Sequence, residues 1–210
     1  MALFATDMAA AVANKLGVGL ELVPFKNPGL LADAANKDKW DVGLIGAEPA
    51  RAAVIAFTAP YCEIEATYLV KPGSALQSLD AIDQPGVKVC VSARSAYDLW
   101  LTENLKHASL TRTDEPGLDL SRALFDTGEF DVLAGLRPWL LEQAKTLPGS
   151  TILDGKFTSV QQAIGAPRER SDGGASMFLE RFVEEAKASG MVADLIAKHG
   201  QEGKLSVADP

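Results

Sequence analysis

The stretch WDVGLIGAEPARAAVIAFTAPY, residues 40–61, carries most of the information about the fold. It opens with Trp40-Asp41 and runs into the apolar VGLIG, a continuous run of the kind found in strands covered on both faces. A loop of small residues follows, and a helix is expected from about Pro49 to Ile55. A single arginine, Arg51, lies there among alanines. Six residues later begins Phe57-Thr58-Ala59-Pro60-Tyr61. A surface loop has no need of that arrangement. A helix that binds an anion beside its first turn could use it, since a guanidinium offers a planar fork of donors that matches a carboxylate; the other reading of Arg51 is a surface or interlobe salt bridge.

On the N-terminal side, Asp7 reads as the cap of a helix through MAAAVANKL, stopped by Gly17. LELVPF (20–25) reads as a strand. Asn27-Pro28 reads as a cap and first-turn proline for LLADAANK. On the C-terminal side EATYLV (65–70) is extended, and KPGS (71–74) breaks the pattern. A second cycle then begins. SLDAI is a short helix, VKVCVS (87–92) a buried strand, and Ser95 the cap of the helix AYDLWLTENL. SLTRT (109–113) is a strand, LDLSRALFDTG a helix, FDVLAGL (130–136) a strand and PWLLEQAKTL a helix. STIL (150–153) and SVQQAIGA (159–166) are extended. Helices through ASMFLERFVEEAKASG and MVADLIAKHG follow, with Phe178, Phe182 and Ala186 as a core stripe. Residues beyond about Gly200 are expected to fray. Alternating strands and helices predict an α/β protein with mostly parallel sheets flanked by helices.

The 210 residues suit one large domain or two small lobes. A formal net charge of -8 argues against bulk attraction to nucleic acid or anionic membranes. No apolar run reaches the ~20 residues of a membrane span. No stretch has the organisation of a signal peptide, so the chain reads as cytoplasmic or already trimmed. Cys62 and Cys90 can bridge, but buried free thiols are the simpler reading. His107 and His199 have no second ligand at metal spacing, and no cofactor is implied.

Residues 40–61 resemble the first-lobe motif of periplasmic solute-binding proteins of the polar amino-acid type (family 3, the type II periplasmic-binding fold). In that family a buried strand leads to a small-residue loop, an arginine, and Phe-Ser/Thr-x-Pro-Tyr six residues on. The likeness continues through EATYLVKPGSALQSLDAIDQPGVKVCV, similar to the crossover into the second lobe. EEAKASGMVADLIAKHG is similar to the family's last helices. The resemblance implies a discontinuous first lobe of residues 1–66 and 167–210, a second lobe of residues 71–160, and two-strand hinge crossings at 66–70 and 161–166. It implies a periplasmic protein that closes on a small anionic ligand, amino-acid-like or an organic carboxylate, between its lobes and delivers it to the permease of an ABC transporter.

The same resemblance implies that Arg51 pairs with the ligand's carboxylate, aided by backbone N–H groups near Gly46 and Ala47 at a helix start. In the second lobe, SARSAYDL (92–99) stands where the family closes over its ligand. Ser95 is both cap and candidate donor there. Arg94 adds charge or remains a solvated loop residue. Amino-acid binders of the family commonly place an aspartate just after the fourth-strand segment of the second lobe, here FDVLAGLRPWLL, to pair with the ligand's ammonium. Here a gapless match puts Leu136 at that position, followed by Arg137, and a leucine cannot neutralise an ammonium. The expected ligand is therefore a carboxylate without an amine, or one with two acidic groups. A shifted register would bring in Asp131; Glu48 and Glu65 are other possible amine partners.

Family members also carry a strand ahead of the first helix. MALFATD is too short to hold both: either the gene begins late or the sequence is truncated, and if the strand is absent the first lobe's sheet loses a member and exposes apolar surface, which favours self-association or a defective ligand site. No nucleophile–base pair is recognisable, so the leading reading is binding without chemistry. The alternative is a dehydratase of the cyclohexadienyl type on the same scaffold, with Glu48 or Glu65 as general acid. A ligand-sensing receptor module is a third reading.

Overall fold

A computed structural model describes residues 2–209 of the chain. Helix α1 spans Ala2–Leu16 and starts well ahead of Asp7, so the expected cap at Asp7 is not made. Asp7 is instead held from the far end of the chain. Lys198 Nζ donates to its Oδ2 at 2.7 Å, and His199 Nε2 lies 2.8 Å from the same oxygen. These partners keep the Asp7 carboxyl below its ordinary value. The helix stops at Gly17, where φ is 70° and an L side chain would be strained. Its residues Phe4, Met8 and Val12, four apart, form the buried face.

LELVPF forms no strand. Val18, Leu20, Leu22 and Val23 are all exposed, and among the described residues 19–25 make no backbone hydrogen bond. Strand propensity is present, but a strand needs a partner edge. Helix α2, Pro28–Asp33, has the cap the sequence calls for, with Asn27 Oδ1 accepting from the Leu30 N–H at 2.9 Å. Strand β1, Gly43–Gly46, leads to the single turn of α3, Pro49–Ala52. That helix is shorter than expected because Ile55 already begins β2, Ile55–Val70.

The chain forms two compact units, one of residues 1–64 and 161–210, the other of residues 65–160. In the second unit a short 3-10 turn at Leu79–Ala81 precedes β3, Lys88–Val91, and α4, Ala96–Asn104. Then come β4, Ser109–Arg112; α5, Leu118–Asp126; β5, Val132–Leu136; and α6, Arg137–Lys145. Strand β3 runs parallel to both β4 and β5, whereas β2 is antiparallel to β5 and to the short β6, Thr151–Ile152. The sheet is thus mixed rather than mostly parallel, because β2 enters in the opposite sense. One face packs Tyr68, Val89, Val91, Leu101 and Val132. The other packs Leu69, Cys90, Phe125, Leu133 and Leu140. Alternate residues of one strand feed the two cores, as the pleat requires.

Strand β7, Thr158–Pro167, brings the chain back to the first unit. There it pairs antiparallel with β1, Gly43 opposite Gly165 and Gly46 opposite Gln162. Helices α7, Gly173–Ala188, and α8, Met191–Lys198, follow. The buried stripe of α7 is Leu179, Phe182, Val183 and Ala186, with Phe178 only half-buried. The expected fraying after Gly200 does not occur. Leu205–Val207 forms β8, antiparallel to Cys62–Ile64 of β2, and Leu205 and Ala208 are buried.

Both cysteines are free and buried. Burial pushes each thiol up to about 12.

Candidate functional site

The candidate residues read from the sequence fall in both units. In the first unit, β1 delivers the chain to a tight loop, and Pro49 opens α3 at a position where no N–H is required. Arg51 follows two residues later. It is only 5% exposed, an uncommon degree of burial for a charged side chain. Its Nη1 donates to the Gly46 carbonyl at 2.9 Å. A buried guanidinium held against the backbone is a rigid, preorganised cation, suited to a carboxylate.

The expectation that Gly46 and Ala47 offer backbone donors is corrected. The Ala47 N–H donates to the Gln161 carbonyl at 2.8 Å, and the Glu48 N–H folds back to Gly46 at 3.0 Å. Gly46 contributes its carbonyl, as an acceptor for Arg51. The antiparallel approach of β7 uses the donor that the sequence left open. It also brings in Gln161, which sequence reasoning placed only in a crossing segment. The Oε1 of Gln161 is buried and has no hydrogen-bond partner among the described residues. A buried acceptor without a donor is costly, and such atoms mark places where another molecule can bind. No local pattern signals it, because its environment depends on the β1–β7 register.

In the second unit, Ser95 caps α4 as expected. Its hydroxyl accepts from the Asp98 N–H at 3.1 Å and donates to the Ser92 carbonyl at 2.9 Å. Asp98, 3% exposed, completes a reciprocal cap by accepting the Arg94 N–H at 2.8 Å. Its other oxygen faces Arg112 Nε at 2.8 Å. Arg94 is exposed and takes a left-handed φ of 60°, which turns the chain into the cap. Asp98 was not among the sequence candidates, although its spacing from Ser95 is that of a capping box.

Leu136 ends β5 opposite Ala66 and packs on the core of the second unit. Arg137 is committed to the protein itself. Its Nε donates to Glu65 Oε2 at 2.6 Å, and its Nη2 donates to the Gly155 carbonyl. Glu65 is therefore an ion-pair partner rather than an isolated acid. The acid of the shifted register, Asp131, accepts the Lys88 N–H at 2.9 Å and lies at the start of β5, away from Leu136. Among the described residues no group of His, Cys, Asp and Glu could hold a metal ion. No described helix is long and apolar enough to cross a membrane.

Residues 4–202 match the profile of the bacterial extracellular solute-binding proteins, family 3, and the chain belongs to that family. Among curated proteins it is 34% identical over 113 residues to the cyclohexadienyl dehydratase of Pseudomonas aeruginosa. That match covers 51% of this chain and 41% of the relative, so the chain spans less than half of that protein's length in the match. Among solved structures it is similar to the ancestral amino-acid-binding protein AncCDT-1, a precursor of cyclohexadienyl dehydratase. The TM-score is 0.75 at 22% identity, covering 93% of this chain and 83% of the other. It is also similar to an amino acid ABC transporter substrate-binding protein of Streptococcus pneumoniae bound to L-arginine. There the TM-score is 0.74 at 22% identity, covering 93% and 82% of the two chains. The fold is that of the type II periplasmic binding proteins.

Proposed function

We propose that this chain is the extracytoplasmic solute-binding component of an ABC-type uptake system and binds a small organic carboxylate without turning it over. Membership of the solute-binding family supports the binding role. The observation that carries the choice of ligand is the buried guanidinium of Arg51, anchored by the Gly46 carbonyl. A guanidinium is planar and permanently charged, and its fork of donors matches the two oxygens of a carboxylate. Arg51 takes the ligand's carboxylate, and Gln161 Oε1 accepts from a donor group on the same molecule. Ser95 and Arg94 contribute from the second unit. β2 and β7, which carry the chain between the units, act as the hinge strands of closure. The loaded protein delivers its ligand to a permease in the periplasm.

The ligand lacks an α-ammonium. Leu136 offers no charge, Glu65 is paired with Arg137, and Asp131 is bonded to the Lys88 backbone. A ligand that binds only the folded state stabilises it by RT ln(1 + [L]/Kd), about 2.7 kcal/mol at a hundred times Kd. A thermal-shift screen is therefore the test. Organic acids are expected to raise the melting temperature by several degrees and neutral α-amino acids to leave it unchanged. Strong stabilisation by a neutral amino acid would overturn the ligand class.

The identity to cyclohexadienyl dehydratase favours one second reading, an enzyme on this scaffold with Glu48 as general acid. Loss of a cyclohexadienyl acid on incubation with the protein, followed by its absorbance, would establish that reading and overturn binding without turnover.

A further inference from the structure

Arg51 stands on a helix too short to hold itself. α3 is one turn of four residues, and the first turn of a helix is unfavourable to form alone. Within it the Arg51 and Ala52 N–H groups donate to the Glu48 carbonyl at 2.9 and 3.1 Å. At its far end one residue meets three carbonyls. Arg168 donates its backbone N–H to Val54 at 2.9 Å, its Nε to Ala52 at 2.8 Å and its Nη2 to Ile55 at 3.2 Å. We infer that Arg168 is a positioning residue, which fixes the direction of the Arg51 guanidinium by pinning the end of the turn that carries it. The consequence for binding rests on the reading of Arg51 as the partner of the ligand's carboxylate.

One hydrogen bond is a pivot. Bonds spread over residues 52–55 define an orientation, and the planar guanidinium of Arg168 holds two of them at a fixed angle. Arg168 is itself held. Pro167 before it has a fixed φ, and β7 is in register with β1, Gly165 opposite Gly43. At Gly165 the strand lies so close to Ile55 that a Cβ would stand 2.3 Å from Ile55 Cγ2. The near end of the turn is tied to the same strand, where the Ala47 N–H donates to the Gln161 carbonyl at 2.8 Å. β7 thus grips the chain on both sides of Arg51, at residue 47 and at residues 52–55.

The effect falls on the aim of Arg51 rather than on the fold. Arg168 is exposed, so in a variant water takes over the Ala52 carbonyl, and such an exchange changes global stability little. Water cannot tie β7 to the turn. A carboxylate takes two parallel N–H bonds from a guanidinium, and a fork that is free to swing keeps only one of them. Neighbouring Arg170 is no substitute, since it bonds Asp41 and the Trp40 carbonyl.

The test uses the full chain as wild type, Arg168→Ala and Arg168→Lys. In the free protein the two Nη groups of Arg51 are read by nitrogen NMR, where hindered rotation keeps their resonances separate and free rotation merges them. Separate resonances are expected in wild type and merged ones in Arg168→Ala. Arg168→Lys should fall between, because lysine keeps the charge but not the fork. Amide exchange at residues 51–54 is expected to quicken by at least about tenfold in Arg168→Ala and to stay unchanged in α8. Calorimetry then compares the organic acid of largest thermal shift with its primary amide. The acid is expected to bind Arg168→Ala at least about tenfold more weakly, for one charged hydrogen bond lost. The amide has no second oxygen to lose and should bind nearly as before. A residue that served stability alone would lower the melting temperature and leave the acid-to-amide ratio unchanged, and an unchanged ratio would overturn the inference. So would separate Nη resonances in Arg168→Ala, or merged ones in wild type. If no acid of the screen binds wild type, the carboxylate reading falls by itself, and the Nη resonances and amide exchange still decide whether Arg168 positions Arg51.

Discussion

Replacing Arg51 by methionine tests the binding proposal at its centre. The side chain is 5% exposed, so the substitution must fill volume as well as remove charge, and methionine keeps an unbranched stem. Two energies change. Within the protein, the Gly46 carbonyl loses the donor that stood 2.9 Å away. That carbonyl keeps the Glu48 N–H at 3.0 Å, so what is lost is one hydrogen bond from a charged donor, about 1.5–3 kcal/mol, and chemical denaturation should show the variant folded but less stable by that amount. In the complex, the ligand carboxylate loses its charged partner. Truncating one side of a buried, hydrogen-bonded charge pair costs on the order of 2–5 kcal/mol of binding. At about 1.4 kcal/mol per tenfold, the dissociation constant rises by at least about thirtyfold. Arg51→Lys keeps the charge but not the fork, and an intermediate loss is expected. Isothermal calorimetry, run well below the melting temperature of both proteins, separates the two energies. Unchanged affinity in a folded Arg51→Met protein would refute the reasoning.

Asp98→Ala removes the acceptor of the Arg94 N–H beside the Ser95 cap and the carboxylate that faces Arg112, so the variant is expected to be less stable by about 1–3 kcal/mol in urea denaturation. Gly165→Ala would place a Cβ 2.3 Å from Ile55 Cγ2, and overpacking of about 1–3 kcal/mol should appear as a lower melting temperature. Asp83 accepts the backbone N–H groups of Ala108, His107 and Lys106, which hold its carboxyl below the ordinary value. A depressed value in the folded state stabilises the protein above the unfolded value of about 3.9 and is lost as the pH falls through the folded one. The stability gap between wild type and Asp83→Asn should therefore be full at neutral pH and close below about pH 4. Cys62 and Cys90, with thiols raised to about 12, should resist a thiol-specific reagent at pH 8 until the protein is unfolded.

The second unit was the more legible in the sequence. Its strands and helices are bounded by local signals, such as Ser95 ahead of AYDL and the proline that opens α6. The first unit was less so, because its elements depend on long-range partners. LELVPF has strand composition, yet a strand exists only where an edge receives it, and here none does. Asp7 has the chemistry of a cap, but Lys198 and His199 use it from within a helix. β8 was unreadable because three residues carry little periodicity, and its pairing with Cys62–Ile64 spans most of the chain. In the candidate site, Arg51 could be found from its spacing to Phe57. The use of the Ala47 N–H and the isolation of Gln161 Oε1 could not, since both follow from how β7 registers against β1. Arg137 and Glu65 were each read as possible ligand partners. That they bond each other reflects the pairing of β2 with β5, which no local pattern encodes.

The central claim is that Arg51 recognises a carboxylate. The most direct measurement takes the organic acid with the largest thermal shift and titrates it by calorimetry beside its own primary amide. The two differ little in shape, but the amide carries no charge and offers one acceptor oxygen in place of two. The expected result is binding of the acid, with the amide weaker by at least about thirtyfold, the same loss as in Arg51→Met, and no further loss when amide and variant are combined. Equal affinity for acid and amide in the wild-type protein would contradict the claim.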